Sequence, residues 1–187
     1  SGEWEAALDP ALPGGPFVLD VSMARPGEAR PAEPLRIEDV FVGEVWICSG
    51  QSNMQTPMDR LRDDFPEEFR LSPFPVIRQF ALPCAFDFSG PRGEVPEARW
   101  VQASAESLKD FSGAAWFFAR AELRRRPVPV GIMLAANGGA PIESFMSAEA
   151  LAEFPHKAAE GASFADAGFR AAAELAASRA VQEWEAL

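Results

Sequence analysis

The chain has 187 residues and is 48% hydrophobic, enough to bury the core of one domain and part of a second. Seventeen basic against 28 acidic side chains give a net charge of −11, which excludes a nucleic-acid groove and, with no local basic patch, a polyanionic ligand. No run of about 18 apolar residues occurs, so no membrane span is expected.

The opening Ser1-Gly2-Glu3-Trp4 lacks an initiator Met, which leaves a removed leader or a chain cut from a longer one as readings. Residues 1–42 are rich in Pro and Gly. The short runs Phe17–Val21 and Leu35–Val40, separated by Arg25-Pro26-Gly27-Glu28, predict antiparallel strands. Such a pair is marginal alone in water, so residues 1–41 read as the C-terminal part of a β-rich domain. From Val42 to Cys48 a nearly continuous apolar run predicts a strand buried on both faces of a parallel sheet, leading straight into Ser49-Gly50-Gln51-Ser52-Asn53. Further strands are expected over 76–82, 99–103 and 128–135. Between the last two, Ala115, Phe118, Ala119 and Leu123 recur at helical spacing in Ser112–Arg126 before Pro127 stops the helix, which predicts a right-handed βαβ crossover. The Ala-rich stretch 167–187 predicts a long surface helix. Residues 42–187 thus read as the N-terminal part of an α/β domain. Within it, Asp59, Arg60, Arg62, Asp63 and Asp64 form a solvated loop. Cys48 reads as a small core residue of its strand, and whether it pairs with Cys84 stays open.

A serine just after a buried strand, with Gly50 letting the backbone turn, stands at the carboxyl edge of the sheet, where α/β proteins bind ligands. Ser52, Asn53 and Met54 open a helix whose unbonded N–H groups face an incoming carbonyl oxygen. On the residues alone two readings stand: an N-cap that only holds a helix start, or a nucleophile that needs a base within reach. Asn137-Gly138-Gly139, after strand 128–135, either present donors at that same edge or form an ordinary turn. Glu143 either binds a hydroxyl of a ligand or favours a helix N-terminus. No spacing of Cys, His or carboxylates fits a metal, and no phosphate loop is present, so neither metal nor cofactor is expected.

The run Gly43-Glu44-Val45-Trp46-Ile47-Cys48-Ser49-Gly50-Gln51-Ser52-Asn53-Met54 resembles the nucleophile block of the sialate O-acetylesterase family, a branch of the SGNH (GDSL-like) hydrolases. Gly14-Gly15-Pro16-Phe17, the stretch Phe111–Arg120, and Pro129–Ile132 through Gly138–Ser147 resemble further parts in the same order, so the resemblance spans roughly residues 14–150. It implies a three-layer α/β/α SGNH-hydrolase-like parallel sheet, preceded by the end of a β-sandwich-like domain. It implies a carbohydrate O-acetylesterase in an extracytoplasmic setting. Ser52 would be the catalytic nucleophile, with Gln51, Asn53, Asn137, Gly138, Gly139 and Glu143 as oxyanion- or substrate-binding residues. The substrate would be an acetylated carbohydrate, of sialic acid or of plant polysaccharide.

Ala140 stands where the family usually has Thr, and Phe145 where it usually has Trp, which alters the contacts of the pocket. The family's later Gly-Glu-x-Asn block and its Asp-x-x-His pair do not occur. The one histidine, His156 in Glu153-Phe154-Pro155-His156, comes too early in the family's order and reads as a surface residue beside Pro155. The base and its orienting acid are therefore expected beyond Leu187, on a second polypeptide segment. A reading from a different class is a non-catalytic carbohydrate-binding or assembly subunit with the same fold.

Overall fold

The computed structural model describes residues 5–8, 12–22, 33–70, 74–84, 90–91, 93–95 and 97–186. Strands β1 (Gly14–Val21) and β2 (Leu35–Val42) pair antiparallel into a two-stranded sheet, as their turn-flanked apolar runs predict. The Arg25–Glu28 turn lies outside the described residues. After Gly43 the chain enters a second sheet built of β3 (Glu44–Gly50), β4 (Phe74–Ala81), β5 (Trp100–Ala103) and β6 (Val130–Ala136), in the order β3-β6-β4-β5. β6 lies between β3 and β4 and runs parallel to both.

The fourth strand corrects an expectation. β5 pairs antiparallel with β4 and does not border β6, so strand 99–103, helix and strand 128–135 are not the βαβ unit that their order suggests. The handedness rule concerns parallel strands of one sheet, and a four-residue edge strand gives no local sign of its direction. The parallel pairings are β3 with β6 and β4 with β6.

Helix α2 (Gly113–Arg125) starts where the Ser112 hydroxyl accepts from the Ala115 N–H at 3.2 Å, a side-chain cap, and stops at Arg126, just before Pro127. Its Ala115, Trp116 and Ala119 are fully buried, facing Ile77, Val130 and Ile132 of the sheet. Trp116 meets Phe74 and Phe111 edge to face, at ring separations of 5.7 and 6.2 Å. Its indole N–H donates to Glu68 Oε2 at 2.9 Å, and Arg120 pairs with the same buried carboxylate. Gln79 on β4 is buried too. Its amide donates to the Asp110 carbonyl at 3.3 Å and accepts from the Ser112 N–H at 3.0 Å, joining the central sheet to the start of α2. Each buried aromatic contributes about 1.5–3 kcal/mol, against about 1 kcal/mol net for a hydrogen bond, so packing carries this layer and the polar groups fix its register.

Strand β3 is covered on one face only among the described residues. Cys48 is buried and Trp46 leans on Phe118 of α2 at 5.2 Å, but Val45 and Ile47, pointing the other way, are 59% and 74% exposed. Among the described residues the expected cover of the second face is not seen, because a run apolar at every position records what each face tolerates and not what covers it. The charged segment after Ser52 also differs from a plain loop. Met58–Leu61 forms a 3-10 turn that buries Met58 completely and keeps Asp59, Arg60 and Arg62 outside. Three more helices follow, α3 (Ala148–Leu151), α4 (Pro155–Ser163) and α5 (Ala167–Glu185). The last is capped by Asp166, which accepts from the Phe169 N–H at 2.7 Å, and has no buried residue, as the surface reading predicts.

Candidate active site

The parallel strands β3 and β6 bring two loops to one edge. Their pairing runs to Gly50 opposite Ala136, and the Asn137 N–H extends it by donating to the Gly50 carbonyl at 3.0 Å. Gly50, with φ of +148°, makes the turn out of the strand in a conformation that side chains disfavour. The chain then enters α1 (Ser52–Gln55), a single turn and not a longer helix. Gln51, Ser52 and Asn53 are all exposed there.

The turn is pinned from behind. Both the N–H and the hydroxyl of Thr56 donate to the Ser52 carbonyl at 2.8 Å. The Thr56 carbonyl accepts from the Gly113 N–H at 2.9 Å, and Met58 N–H donates to the Phe111 carbonyl at 2.8 Å. The serine thus stands on a turn fastened to the start of α2, while its side chain faces solvent.

The Ser52 hydroxyl donates to Gln51 Oε1 at 2.7 Å, and the same oxygen takes the Ser52 N–H at 3.3 Å. The first is a normal hydrogen bond; the second is at the weak end of the range. An amide oxygen is no base, so the hydroxyl is not activated in this arrangement. His156 is exposed on α4 and accepts nothing from Ser52.

Gly138 stands directly against this serine. A Cβ placed on it would come within 3.8 Å of Ser52 Cα and Cβ and within 2.8 Å of Gln55 Oε1. Its N–H donates to that Gln55 oxygen at 2.7 Å. The structure therefore brings Gly138 to Ser52, and Asn137 to Gly50 two residues before it. Gly139 follows, exposed, with φ of +80°. Glu143 is engaged elsewhere. It lies in the 3-10 turn Ile142–Phe145, beside β3, and pairs with Lys157 of α4 at 3.1 Å. Its own backbone N–H, then Lys157 and at longer range His156, hold its carboxyl below the usual glutamate range.

Two residues of the arrangement carried no sequence signal by type: Gln55, which holds Gly138, and Thr56, which holds Ser52 from behind. The signal available was spacing, since Gln55 lies three residues after Ser52 and so shares its helical face. Cys48 is a free buried thiol whose burial pushes its pKa up, away from nucleophilic use, and Cys84 is free and exposed. Among the described residues no group of three His, Cys, Asp or Glu side chains is placed to hold a metal ion, and no described helix is long and apolar enough to cross a membrane.

No family model matches the chain. Similarity to individual proteins is clear. The sialate O-acetylesterase of Homo sapiens is 30% identical over 157 residues, covering 81% of this chain, and that of Rattus norvegicus is 30% identical over 162 residues. A crystal structure of a carbohydrate acetylesterase from Xanthomonas citri superposes with a TM-score of 0.64 at 30% identity, covering 75% of this chain and 30% of that one. The chain belongs to the sialate O-acetylesterase family. Its sheet and helices have the α/β architecture of SGNH hydrolases, as the resemblance implied. It spans 29% of the length of the human sialate O-acetylesterase and 28% of that of the rat.

Proposed function

We propose that this member of the sialate O-acetylesterase family carries the nucleophile of a carbohydrate O-acetylesterase, and that Ser52 is that nucleophile. The observation that supports it is the meeting of Ser52 with Gly138 at the shared carboxyl edge of β3 and β6. The Ser52 oxygen adds to the acetyl carbonyl, the proton leaves to a base, and the carbonyl oxygen becomes an oxyanion. Collapse expels the sugar oxygen, which takes that proton back from the base to leave as a hydroxyl, and an acetyl ester remains on Ser52. Water, giving a proton to the same base, then cleaves it to acetate and restores the Ser52 hydroxyl. The Ser52 N–H, held only weakly by Gln51, the Asn137 side-chain amide and the Gly139 N–H stabilise the oxyanion, while Gly138, its N–H taken by Gln55, sets the loop and Gln51 and Asn53 line the approach. Glu143, tied to Lys157, borders the sugar side.

The base and its orienting acid come from outside these 187 residues, on a second polypeptide segment, because the lone histidine has no bond to Ser52. In domain terms, residues 1–41 close a β-rich domain and 42–187 open the α/β domain. The substrate is an acetylated carbohydrate, sialic acid or plant polysaccharide, with Ala140 and Phe145 setting a pocket of different shape from that of relatives with Thr and Trp there.

Turnover of 4-nitrophenyl acetate by the purified full-length protein tests this. Ser52→Ala is expected to lower kcat by at least about a thousandfold. Equal hydrolysis by both proteins removes Ser52 from the reaction. The hydroxyl's bond to an amide oxygen favours a second reading, a non-catalytic carbohydrate-binding subunit. That reading prevails if the unsubstituted protein binds acetylated sugar and turns over no ester.

A further inference from the structure

Gln55 ends the nucleophile turn three residues beyond Ser52, so the two side chains leave the same face toward residues 137–139. Its amide oxygen accepts from the Gly138 N–H at 2.7 Å, a short bond between residues 83 apart in the chain. The Gln51 bond to the Ser52 N–H is long by comparison, at 3.3 Å. The Gly138 donor is therefore committed and the Ser52 donor is readily released. Gln55 itself does not float. The next residue, Thr56, is fixed on one side to the Ser52 carbonyl and on the other to the Gly113 N–H. A continuous path thus runs from the start of α2 through Thr56 and Gln55 to Gly138. The absence of a side chain at Gly138 completes it, since a Cβ would meet the Gln55 oxygen at 2.8 Å.

We infer that Gln55 is a positioning residue: by holding the Gly138 N–H it sets the 137–139 loop against Ser52 and leaves the N–H groups of Ser52 and Gly139 for the oxyanion. This rests on the reading of Ser52 as nucleophile. Gln55 neither takes a proton nor touches the reacting atoms. It acts through Gly138, and its worth is the fixed geometry of the loop before substrate arrives.

Amide hydrogen exchange, followed residue by residue in the intact protein, tests the clamp. Gly138 is expected to exchange roughly fivefold more slowly than Gly139, the protection worth of one hydrogen bond. In Gln55→Met that difference disappears, and in Gln55→Glu, which keeps an acceptor oxygen, it returns. Equal exchange of the two amides in the unsubstituted protein overturns the inference with no variant needed. Labelling of Ser52 by a fluorophosphonate reads the positioning role. It is expected to slow roughly fivefold in Gln55→Met while the α2 amides of Ala115 and Ala119 stay protected, and to recover in Gln55→Glu. Loss of Gly138 protection with an unchanged labelling rate overturns that role. An unsubstituted protein that shows Gly138 protection and takes no label marks instead the failure of the nucleophile reading, leaving the clamp standing.

Discussion

Gly138 is a position where a single methyl group separates two properties of the protein. Both it and Gln55 are exposed, and the atom that a Cβ would strike is the far end of the Gln55 side chain. In Gly138→Ala the glutamine swings away and the core is untouched. Thermal stability is expected to fall by no more than about 1 kcal/mol, the worth of one hydrogen bond. The methyl group, however, stands against Ser52, so kcat/KM toward an aryl acetate should drop by at least about tenfold, since small misplacements at a reacting centre are costly. Thermal melts and ester turnover on the same preparation check the pair. A large fall in melting temperature with normal turnover would contradict it. Ser52 itself, bonded to an amide oxygen at 2.7 Å, is a poised but unactivated hydroxyl. On the proposed reading of Ser52 as nucleophile, its reactivity depends on a base displacing Gln51 as its acceptor.

Helix α4 is fastened to the turn before it by charge. Lys157 reaches Glu143 at 3.1 Å and Glu160 at 3.2 Å. Glu143's carboxyl is held below its ordinary value by its own backbone N–H and by Lys157, and Lys157 is raised above its own by hydrogen bonds to Glu143 and Glu160. A lowered carboxylate gives stability that is present at high pH and lost as pH falls through the folded-state value. A raised ammonium gives stability present at low pH and lost as pH rises through its folded-state value. The pair therefore contributes evenly across neutral pH and fades at both extremes. Comparing melting temperatures of the unsubstituted protein and Glu143→Gln should give a small gap that is flat near neutrality and closes on acidification below the lowered Glu143 value. A gap that widens there would refute the assignment. Elements of this kind were partly legible in advance. Helix α2 followed from the spacing of Ala115, Phe118, Ala119 and Leu123 and from Pro127, and the Gly50 to Asn53 turn followed from its block. The direction of β5 was not legible, because four residues carry no directional signal. The bond from Gln55 to Gly138 was not either, since it exists only once β3 and β6 lie side by side.

Among the described residues, Arg78 ties the four-stranded sheet to the two-stranded one. Arg78 of β4 donates to Asp39 Oδ1 at 2.6 Å and to the Asp39 carbonyl at 3.1 Å, and its guanidinium lies 4.2 Å from the centre of the Phe41 ring. The Arg78 hydrogen bond in turn lowers the Asp39 pKa, and Asp39 accepts a φ of +63° in making the contact. Arg78→Met keeps the apolar stem and removes these bonds. It is expected to speed proteolytic cleavage within residues 33–42 by on the order of tenfold, as the loss of a charge-assisted pair implies, while α2 stays protected. Cleavage that spreads at the same rate into α2 would show that the two sheets open together and not one by one. Arg78 pairs with Gly131, near the start of β6, whereas Ser52 and Gly138 follow the strands' carboxyl ends. The buried core reaches Leu134 at its margin and no further along β6. Ala140 and Phe145, which differ from the usual residues of the family, both follow that margin. On the proposed carbohydrate-esterase function, substitution at these positions changes the sugar contacts with little risk to folding, so divergence in substrate should run ahead of divergence in scaffold.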